Sequence, residues 1–257
     1  MTAHEIKTFL GAALVAFGLT STAALAAGEE VELLDGNFQH QGPFGTFDKA
    51  AVQRGFQVFK TVCATCHSAK YLAFRDLEDL GYTEDQVKAI AAEYTVTDGP
   101  NDDGEMFERP AAPFDYFPHP FPNDNAARAA NGGGLPPDLS LITKAREGGE
   151  DYTYSLLLGY EEAPADVEVG EGMSYNAYFP GHQIKMPQPL YGDDVTYQDN
   201  TSSDIHQEAH DVVSFLHWLA EPKMEERKRT GIKAMIFLVI FSGIFYAYKR
   251  RIWADLH

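Results

Sequence analysis

Three segments carry apolar residues at the spacing of an amphipathic helix. The first has a possible capping residue, Thr46, followed by Phe47, Ala51, Gly55, Val58 and Val62. The second follows the capping-box pair Thr83 and Gln86 with Val87, Ile90, Ala91 and Tyr94. The third follows Ser203 with Ile205, Ala209, Val212, Val213, Leu216 and Leu219, and ends before Pro222. These stripes predict three helices, the first of which leads directly into Cys63.

Between these stripes the sequence is irregular. Weaker helical patterns surround Phe74 and cover about 139–145 and 152–158. Eight of the 14 prolines lie between 100 and 137, and a second stretch rich in Gly, Pro and acidic residues runs to about 200. Such composition is typical of loops. Because no alternation of useful length indicates a β-strand, the predicted fold class is mostly α with long loop insertions.

The two ends of the chain carry membrane signals. Residues 1–26 combine one lysine, a short apolar run and a small-residue end, which is the layout of a bacterial secretory signal peptide. Residues 231–253 include an uncharged apolar run and are long enough to cross a bilayer core of ~30 Å as a helix. The sequence predicts a signal peptide at 1–26, an exported domain at 27–222 and a membrane anchor with a short tail at 223–257.

The predicted orientation follows from the signal peptide. Basic residues flank the apolar segment on both sides, so their charge does not set its direction. An exported N-terminus followed by one span places the domain outside the cytoplasm. We therefore predict a protein of the bacterial inner membrane, with its domain on the periplasmic side and its C-terminus in the cytoplasm.

Composition narrows the class of function. The 257 residues include 20 basic and 38 acidic side chains, for a net charge of -18. Because such a surface repels phosphates, we predict no nucleic-acid partner. Cys63 and Cys66 are the only cysteines, which excludes a disulfide-rich scaffold and a four-cysteine zinc site.

The two cysteines lie in Cys63-Ala64-Thr65-Cys66-His67, the attachment pattern of a c-type haem. Two thiols one turn apart reach the vinyl groups of one porphyrin edge, and the adjacent imidazole becomes the proximal iron ligand. A thioredoxin-like pair would follow a strand, zinc would need further ligands, and a disulfide this short would stabilise little. We predict one haem c, bound covalently through Cys63 and Cys66, with His67 as an iron ligand.

The second axial ligand decides what such a haem does. Methionine raises the reduction potential and closes the iron, whereas an open position indicates an enzyme. The candidates are Met106, Met173, Met186 and Met224, with His119 and His182 as alternatives. Met186 is favoured because its Gly- and Pro-bounded loop, GHQIKMPQP, lies far downstream and can fold over the open haem face.

Several longer strings make the sequence similar to the cytochrome c1 family. The resemblance covers about 42–253 and is strongest in RGFQVFKTVCATCHS (54–68), DYFPHPFPNDNAARAANGGGLPPDLS (115–140), GGEDYTYSLLLGY (148–160), YFPGHQIKMPQPL (178–190) and AEPKMEERKRTGIKAM (220–235). Together these strings are far more specific than the haem attachment pattern alone. Some bacterial members brace the methionine loop with a second cysteine pair, which this chain lacks.

The resemblance implies a class I cytochrome c-like haem domain with one C-terminal transmembrane helix. It implies Cys63 and Cys66 as attachment residues, His67 and Met186 as axial ligands, and Arg128 as the partner of a haem propionate, a role that suits a bidentate guanidinium. The implied function is that of the redox subunit of a quinol:cytochrome c oxidoreductase, the cytochrome bc1 complex, with no bond-making chemistry in this chain alone. The implied partners are cytochrome b, the Rieske iron-sulfur protein as electron donor, a soluble c-type cytochrome as acceptor, and the lipid bilayer.

Two acidic stretches fit a soluble acceptor with a basic face. They contain Asp98, Asp102, Asp103, Glu105 and Glu108, and then Glu161, Glu162, Asp166, Glu168 and Glu171. Such charge can steer a basic protein towards a haem edge, although it is equally typical of plain soluble surface.

Other hypotheses stay open at this point. His206 and His210 are spaced i, i+4 on one predicted helix, with His217 further along, and form a weaker candidate metal site. A free-standing, membrane-tethered electron carrier and a haem enzyme such as a peroxidase are the alternative functions. Co-purification with b-type haem tests the first alternative, and carbon monoxide binding tests the second.

Overall fold

The computed structural model describes residues 31–254, and the predicted signal peptide at 1–26 lies outside them. Helices predominate, so the predicted mostly α class is confirmed. The α-helices are α1 Lys49–Thr61, α2 Glu84–Ala92, α3 Asp124–Ala130, α4 Ile142–Ala145, α5 Gly149–Leu158, α6 Ile205–Ala220 and α7 Met224–Ile252. Shorter 3₁₀ helices cover Cys63–Thr65 and Phe74–Leu80. Two antiparallel pairs join β1 Thr95–Asp98 to β2 Phe107–Pro110 and β3 Ser174–Tyr175 to β4 Gln183–Ile184.

Helix α1 forms where the first apolar stripe predicts it but begins later. Its N-cap is Asp48 rather than Thr46, and the Asp48 carboxylate accepts hydrogen bonds from the backbone N–H groups of Ala50 and Ala51 at 3.0 and 3.4 Å. A carboxylate satisfies these free donors and also places negative charge at the helix N-terminus, where it is favourable. The helix buries Ala51, Val52, Gly55, Phe56, Val58 and Phe59.

The contact between α1 and α6 lies at the centre of the core. A Cβ atom at Gly55 would collide with the backbone oxygen of Asp211, so glycine permits the close approach of the two helices. Arg54 donates through Nε and Nη2 to the fully buried Asp211 carboxylate at 2.8 and 3.1 Å. The buried charge is thereby paired and hydrogen-bonded, as a buried carboxylate requires.

Other predicted helix boundaries are close to the observed ones. The capping box is confirmed, because Gln86 Oε1 accepts from the Thr83 N–H at 2.8 Å and Thr83 Oγ1 accepts from the Gln86 N–H at 3.3 Å. Helix α6 begins after Asp204, one residue beyond the predicted cap Ser203, and the Asp204 carboxylate accepts from the first-turn N–H groups. The helix predicted around Phe74 is a 3₁₀ helix.

The proline-rich stretch contains more regular structure than the sequence predicts. Strands β1 and β2 form a hairpin in which Thr95 lies opposite Pro110. Arg109 braces it by donating to the carboxylates of Asp98 and Asp115. Most side chains of both strands are exposed or half-buried, so no apolar alternation marks them in the sequence. Helix α3 lies in the same stretch.

Helix α7 has 29 residues and is the one helix within 31–254 that is long and apolar enough to cross a membrane. At 1.5 Å per residue it is about 44 Å long, which exceeds a bilayer core of ~30 Å. Its first turns contact the domain, since Met224 is buried, Glu225 Oε1 accepts from the Phe47 N–H at 2.9 Å, and Lys228 Nζ donates to the His40 carbonyl at 2.6 Å. The candidate anchor is thus attached to the domain through side-chain contacts.

Candidate haem-binding site

Helix α1 leads into the haem attachment sequence, and the chain turns sharply there. The backbone N–H groups of Cys66 and His67 both donate to the Cys63 carbonyl, at 3.1 and 2.9 Å. Thr65 Oγ1 donates to the Val62 carbonyl at 2.6 Å and closes the turn. Cys63 is half-buried against the core, whereas Cys66 is exposed. Both thiols therefore lie in a single turn at the end of a core helix.

The environment of Cys63 does not match a redox-active cysteine pair. Burial raises the pKa of the Cys63 thiol to about 12, and the neighbouring Cys66 adds to the shift. Reactive cysteines instead have a lowered pKa. A helix rather than a strand precedes the pair, so both properties disagree with the thioredoxin-like interpretation.

The orientation of His67 suits an iron ligand. Its Nδ1 lies 2.8 Å from the carbonyl oxygen of Pro137. Because a carbonyl only accepts, Nδ1 carries the proton and Nε2 keeps the lone pair that a metal would take. Burial also lowers the pKa of the imidazole, which favours the neutral form that metal ligation requires. Asp138 holds the partner segment in place by accepting from Ser68 Oγ and the Lys70 N–H at 2.7 and 3.0 Å.

A cavity of about 380 Å³ opens beside the attachment sequence. Its lining includes Cys66 and Ser68 near the attachment sequence, Ala127 of α3, and Leu135 and Pro136. The other lining residues are His119, Pro120, Phe121, Pro122, Asn123 and Asp124. The cleft thus borders one attachment thiol and the segment that orients the proximal imidazole. With two thiols, a correctly protonated imidazole and an adjoining cleft, the residues fit a covalently attached haem.

Met186 is half-buried and lies two residues after β4. Tyr160 Oη donates to the Met186 carbonyl at 3.1 Å. Gln188 Nε2 donates to the carbonyl of Leu190, a buried core residue, at 2.7 Å. These contacts hold the loop at the methionine and just after it, without a second cysteine pair.

The segment 134–137 links the surroundings of His67 to those of Met186. Gly134 packs on Lys185, whose Cβ lies 3.1 Å from where a Gly134 Cβ would be. Pro137, three residues on, accepts the hydrogen bond from His67. Three residues span at most about 11 Å even when fully extended. The structure therefore brings the Met186 loop and the partner of His67 close together.

Arg128 lies on α3 immediately after Ala127, which lines the cavity. Its side chain is exposed, and its Nη1 donates to the Gly133 carbonyl at 3.4 Å. This hydrogen bond is long, so the guanidinium keeps donors available for a carboxylate. The position is compatible with the expected contact to a propionate.

The alternative methionine ligands lie in unsuitable places. Met106 is 61% exposed in the turn of the β1–β2 hairpin. Met224 is buried at the start of α7. Met173 is half-buried immediately before β3. Of the four methionines, Met186 is the one whose neighbour, Lys185, packs on Gly134.

The alternative histidine ligands are better placed. His119 is exposed and lines the cavity together with Cys66. His182 lies in the loop that carries Met186 and stacks on Tyr175 with 5.7 Å between ring centroids. Its buried Nδ1 has no hydrogen-bond partner within the part of the chain that the structure describes. His119 and His182 are therefore the alternative ligands that a test of Met186 must distinguish from it.

The three histidines of α6 do not form one metal site. His206 Nδ1 lies 3.3 Å from Tyr154 Oη, and His210 stacks on Phe38 with 4.7 Å between ring centroids. His217, in the last turn of the helix, has other neighbours. His206 and His210 have the i, i+4 spacing on α6, but each ring contacts a different side chain.

Pro137 and Tyr160 shape the site, and the sequence patterns did not identify them. They lie in the strings LPPDLS and LLLGY, but no local feature predicts their roles. The contacts join positions 70 and 26 residues apart along the chain. Only the tertiary structure shows them.

Comparison with known proteins decides the family. The sequence model of the Cytochrome C1 family matches residues 38–256. The chain belongs to the cytochrome c1 family. The cytochrome c1 of Rhodospirillum rubrum is 44% identical over 98% of this chain and 99% of its own length. A mitochondrial cytochrome c1 heme protein of Arabidopsis thaliana is 48% identical over 93% of this chain and 79% of its own length.

A longer relative is the cytochrome b/c1 of Bradyrhizobium diazoefficiens. It is 49% identical over 95% of this chain, which spans only 39% of that protein. Membership of the cytochrome c1 family gives this chain a class I c-type cytochrome fold, a c-type haem and an electron-transfer role as the redox subunit of a cytochrome bc1 complex. The single apolar C-terminal helix agrees with a membrane-anchored subunit.

Proposed function

We propose that this chain takes single electrons from a Rieske iron-sulfur protein and passes them to a soluble c-type cytochrome, in a complex that includes cytochrome b. The observation that carries the proposal is the His67 imidazole, oriented by Pro137 directly after two thiols at the end of α1. The relatives named cytochrome c1 and cytochrome b/c1 support the assignment to the complex.

Each site residue has a defined role in this proposal. Cys63 and Cys66 attach one haem c, which supplies a reversible one-electron carrier. His67 would hold the haem iron through its neutral Nε2, and Met186 would hold it through its thioether. A haem held by both residues would leave the iron no free position for a substrate and would supply one-electron transfer instead. Arg128 offsets the charge of a propionate.

Exposed acidic residues support a soluble acceptor with a basic face. Glu161 and Glu162 are exposed immediately after Tyr160, which holds the Met186 loop. Asp98 differs, because its carboxylate is paired with Arg109 and is less available for docking. Charges of this kind accelerate encounter at low ionic strength and are screened by salt.

The proposed organisation places these residues outside the cytoplasm. Residues 1–26 are a signal peptide, 27–222 a periplasmic haem domain, and 223–257 an anchor with a cytoplasmic C-terminus in the bacterial inner membrane. The length and apolar surface of α7 support the anchor, and the layout of 1–26 supports export.

The test separates intact complexes. Membranes solubilised in mild detergent are run on a native gel, and covalent haem from this chain is followed in a second, denaturing dimension. We expect a large assembly that also contains b-type haem and an iron-sulfur subunit. A haem band that migrates alone contradicts the proposal and favours the tethered carrier. Binding of carbon monoxide by the reduced protein favours a haem enzyme instead.

A further inference from the structure

Three side chains from distant parts of the chain meet away from the haem site. His40 precedes α1, Glu150 lies in the first turn of α5, and His217 lies in the last turn of α6. His40 Nε2 is 3.1 Å and His217 Nδ1 is 3.2 Å from Glu150 Oε1. The ligand atoms of all three lie within 4.8 Å of one another. Within residues 31–254 this is the one group of three such side chains.

The cluster is largely removed from water and incompletely hydrogen-bonded. The exposed side-chain fractions of His40, Glu150 and His217 are 3%, 18% and 12%. His40 Nε2 is hydrogen-bonded to Glu150. The buried His217 Nδ1 lies 3.2 Å from Glu150 Oε1 but makes no hydrogen bond within the described part of the chain. A buried nitrogen without a partner costs stability, whereas a metal ion would use its lone pair.

We propose that His40, Glu150 and His217 bind one divalent transition-metal ion, with Zn²⁺ as the best fit. Two imidazoles and one carboxylate form a known ligand set of four-coordinate zinc, in which water occupies the fourth position. Ligands at ~2.0 Å in a tetrahedral arrangement lie about 3.3 Å apart. The observed separations of 3.1 and 3.2 Å are close to that value. Ca²⁺ and Mg²⁺ fit less well because they prefer oxygen ligands.

Binding requires one local adjustment. The rings of His40 and His217 are stacked, with centroids 4.6 Å apart and an angle of 11° between their planes. Lone pairs in nearly parallel planes do not converge on one point, so one ring must rotate about its side-chain bonds. Phe47 lies beside both rings, with centroid distances of 5.0 and 6.0 Å. Stacking holds the metal-free cluster together, and coordination replaces part of that contact.

The charges around the cluster come from several elements. Glu221, just after α6, adds negative charge near His217, and Lys144 of α4 adds positive charge. These two side chains also face each other, with Lys144 Nζ 3.7 Å from Glu221 Oε2. Lys228 of α7 donates to the His40 carbonyl. The Glu150 carboxylate is thus the negative group that directly offsets the bound ion.

A bound ion would join three segments that otherwise meet through stacking and hydrogen bonds. The segment that carries His40 would be fixed to the first turn of α5 and to the last turn of α6. Helix α7 begins four residues after α6 ends. The ion would therefore restrain the chain before α1 against the base of the candidate membrane anchor.

The test uses the full-length, haem-loaded protein in detergent, stripped with a chelator and equilibrated with Zn²⁺ alone. We expect a zinc ion with two imidazole ligands by X-ray absorption at the zinc edge. His217→Phe, which keeps a ring for stacking, and Glu150→Gln should each weaken zinc affinity at least tenfold. The matched control His210→Phe, on the same helix, should leave the affinity unchanged.

Equal zinc affinity in the wild type and both site variants would overturn the proposal, as would a zinc shell without imidazole. If either variant loses its native haem spectrum, the zinc shell of the wild type decides the question. A shell that contains two imidazoles and one carboxylate supports the site, and His210→Phe must show the same shell. A shell with fewer than two imidazoles would overturn the assignment.

Discussion

His67 Nδ1 lies 2.8 Å from the carbonyl oxygen of Pro137, the residue that directly follows the cavity wall formed by Leu135 and Pro136. One short segment therefore shapes the cleft and also sets which nitrogen of the imidazole is free. The segment begins at Gly134, which packs on Lys185 beside Met186. Segment 134–137 thus contacts His67 at one end and the neighbour of Met186 at the other.

The first prediction concerns the identity of the second axial ligand. Met186→Leu should leave the haem attached, because Cys63 and Cys66 are untouched, but should lower the midpoint potential. The thioether is replaced by water or by a stronger donor, and axial ligation as a whole spans ~0.8 V. We expect a fall on the order of 100 mV or more in a redox titration followed by haem absorbance.

Met173→Leu is the matched control, since Met173 is a half-buried methionine in a neighbouring loop. It should leave the potential unchanged. An unchanged potential in Met186→Leu would reject Met186 as the ligand. The comparison would then move to His119 and His182.

The second prediction concerns the hydrogen bond from Tyr160 to the Met186 carbonyl. Tyr160→Phe removes this bond, which is worth about 1 kcal/mol, and should loosen the methionine loop. The methionine-to-ferric-iron absorption band should disappear at a lower urea concentration than in the wild type, while the haem stays attached. Tyr191→Phe is the control, because Tyr191 is 71% exposed in the same region. Coincident transitions in the two variants would show that Tyr160 does not hold the loop.

The helices could be predicted wherever one face is apolar and the other polar. Helices α1, α2 and α6 bury such a face in the core, so their periodicity is visible in the sequence. The cap of α2 was predicted correctly. The starts of α1 and α6 were missed by two positions and one position, because Thr46 and Asp48, and likewise Ser203 and Asp204, are both acceptable caps. Strands β1 and β2 were missed because their exposed side chains carry no alternation.

The site could be predicted only in its local part. The residues Cys63, Cys66 and His67 lie within five consecutive positions, so the haem attachment pattern is visible without a structure. The Met186 assignment relied on loop composition and on family resemblance. Contacts such as His40 with Glu150 join positions 110 residues apart and leave no local trace. These residues meet only when whole helices and loops pack together, and the spacing of apolar residues along the sequence does not describe that packing.

The third prediction concerns the buried ion pair between α1 and α6. Arg54→Ala leaves the Asp211 carboxylate in the core without its bidentate partner. Breaking a buried pair in this way costs about 3–5 kcal/mol. The free energy of unfolding, measured by urea titration of the detergent-solubilised protein, should fall by that amount.

Lys88→Ala is the control for this ion pair. It removes an exposed pair with Glu84 at 2.7 Å, and such pairs contribute little because water and salt screen them. If Arg54→Ala and Lys88→Ala lower the free energy of unfolding by similar amounts, the buried pair stabilises the fold no more than the exposed pair.

The last prediction concerns Glu208, which is fully buried on α6 and accepts from the Val195 N–H at 3.1 Å. Burial raises the pKa of its carboxyl from 4.5 to about 7, and the nearby Asp194 carboxylate adds to the shift. The folded state therefore holds a proton that the unfolded chain releases between about pH 4.5 and 7. By linkage, the contribution of this carboxyl to the free energy of unfolding is fully present below pH 4.5 and is lost as the pH rises through 7.

Glu208→Gln cannot ionise, so its free energy of unfolding should fall less than that of the wild type across this interval. Parallel pH profiles for the two proteins would show that Glu208 is already ionised in the folded state.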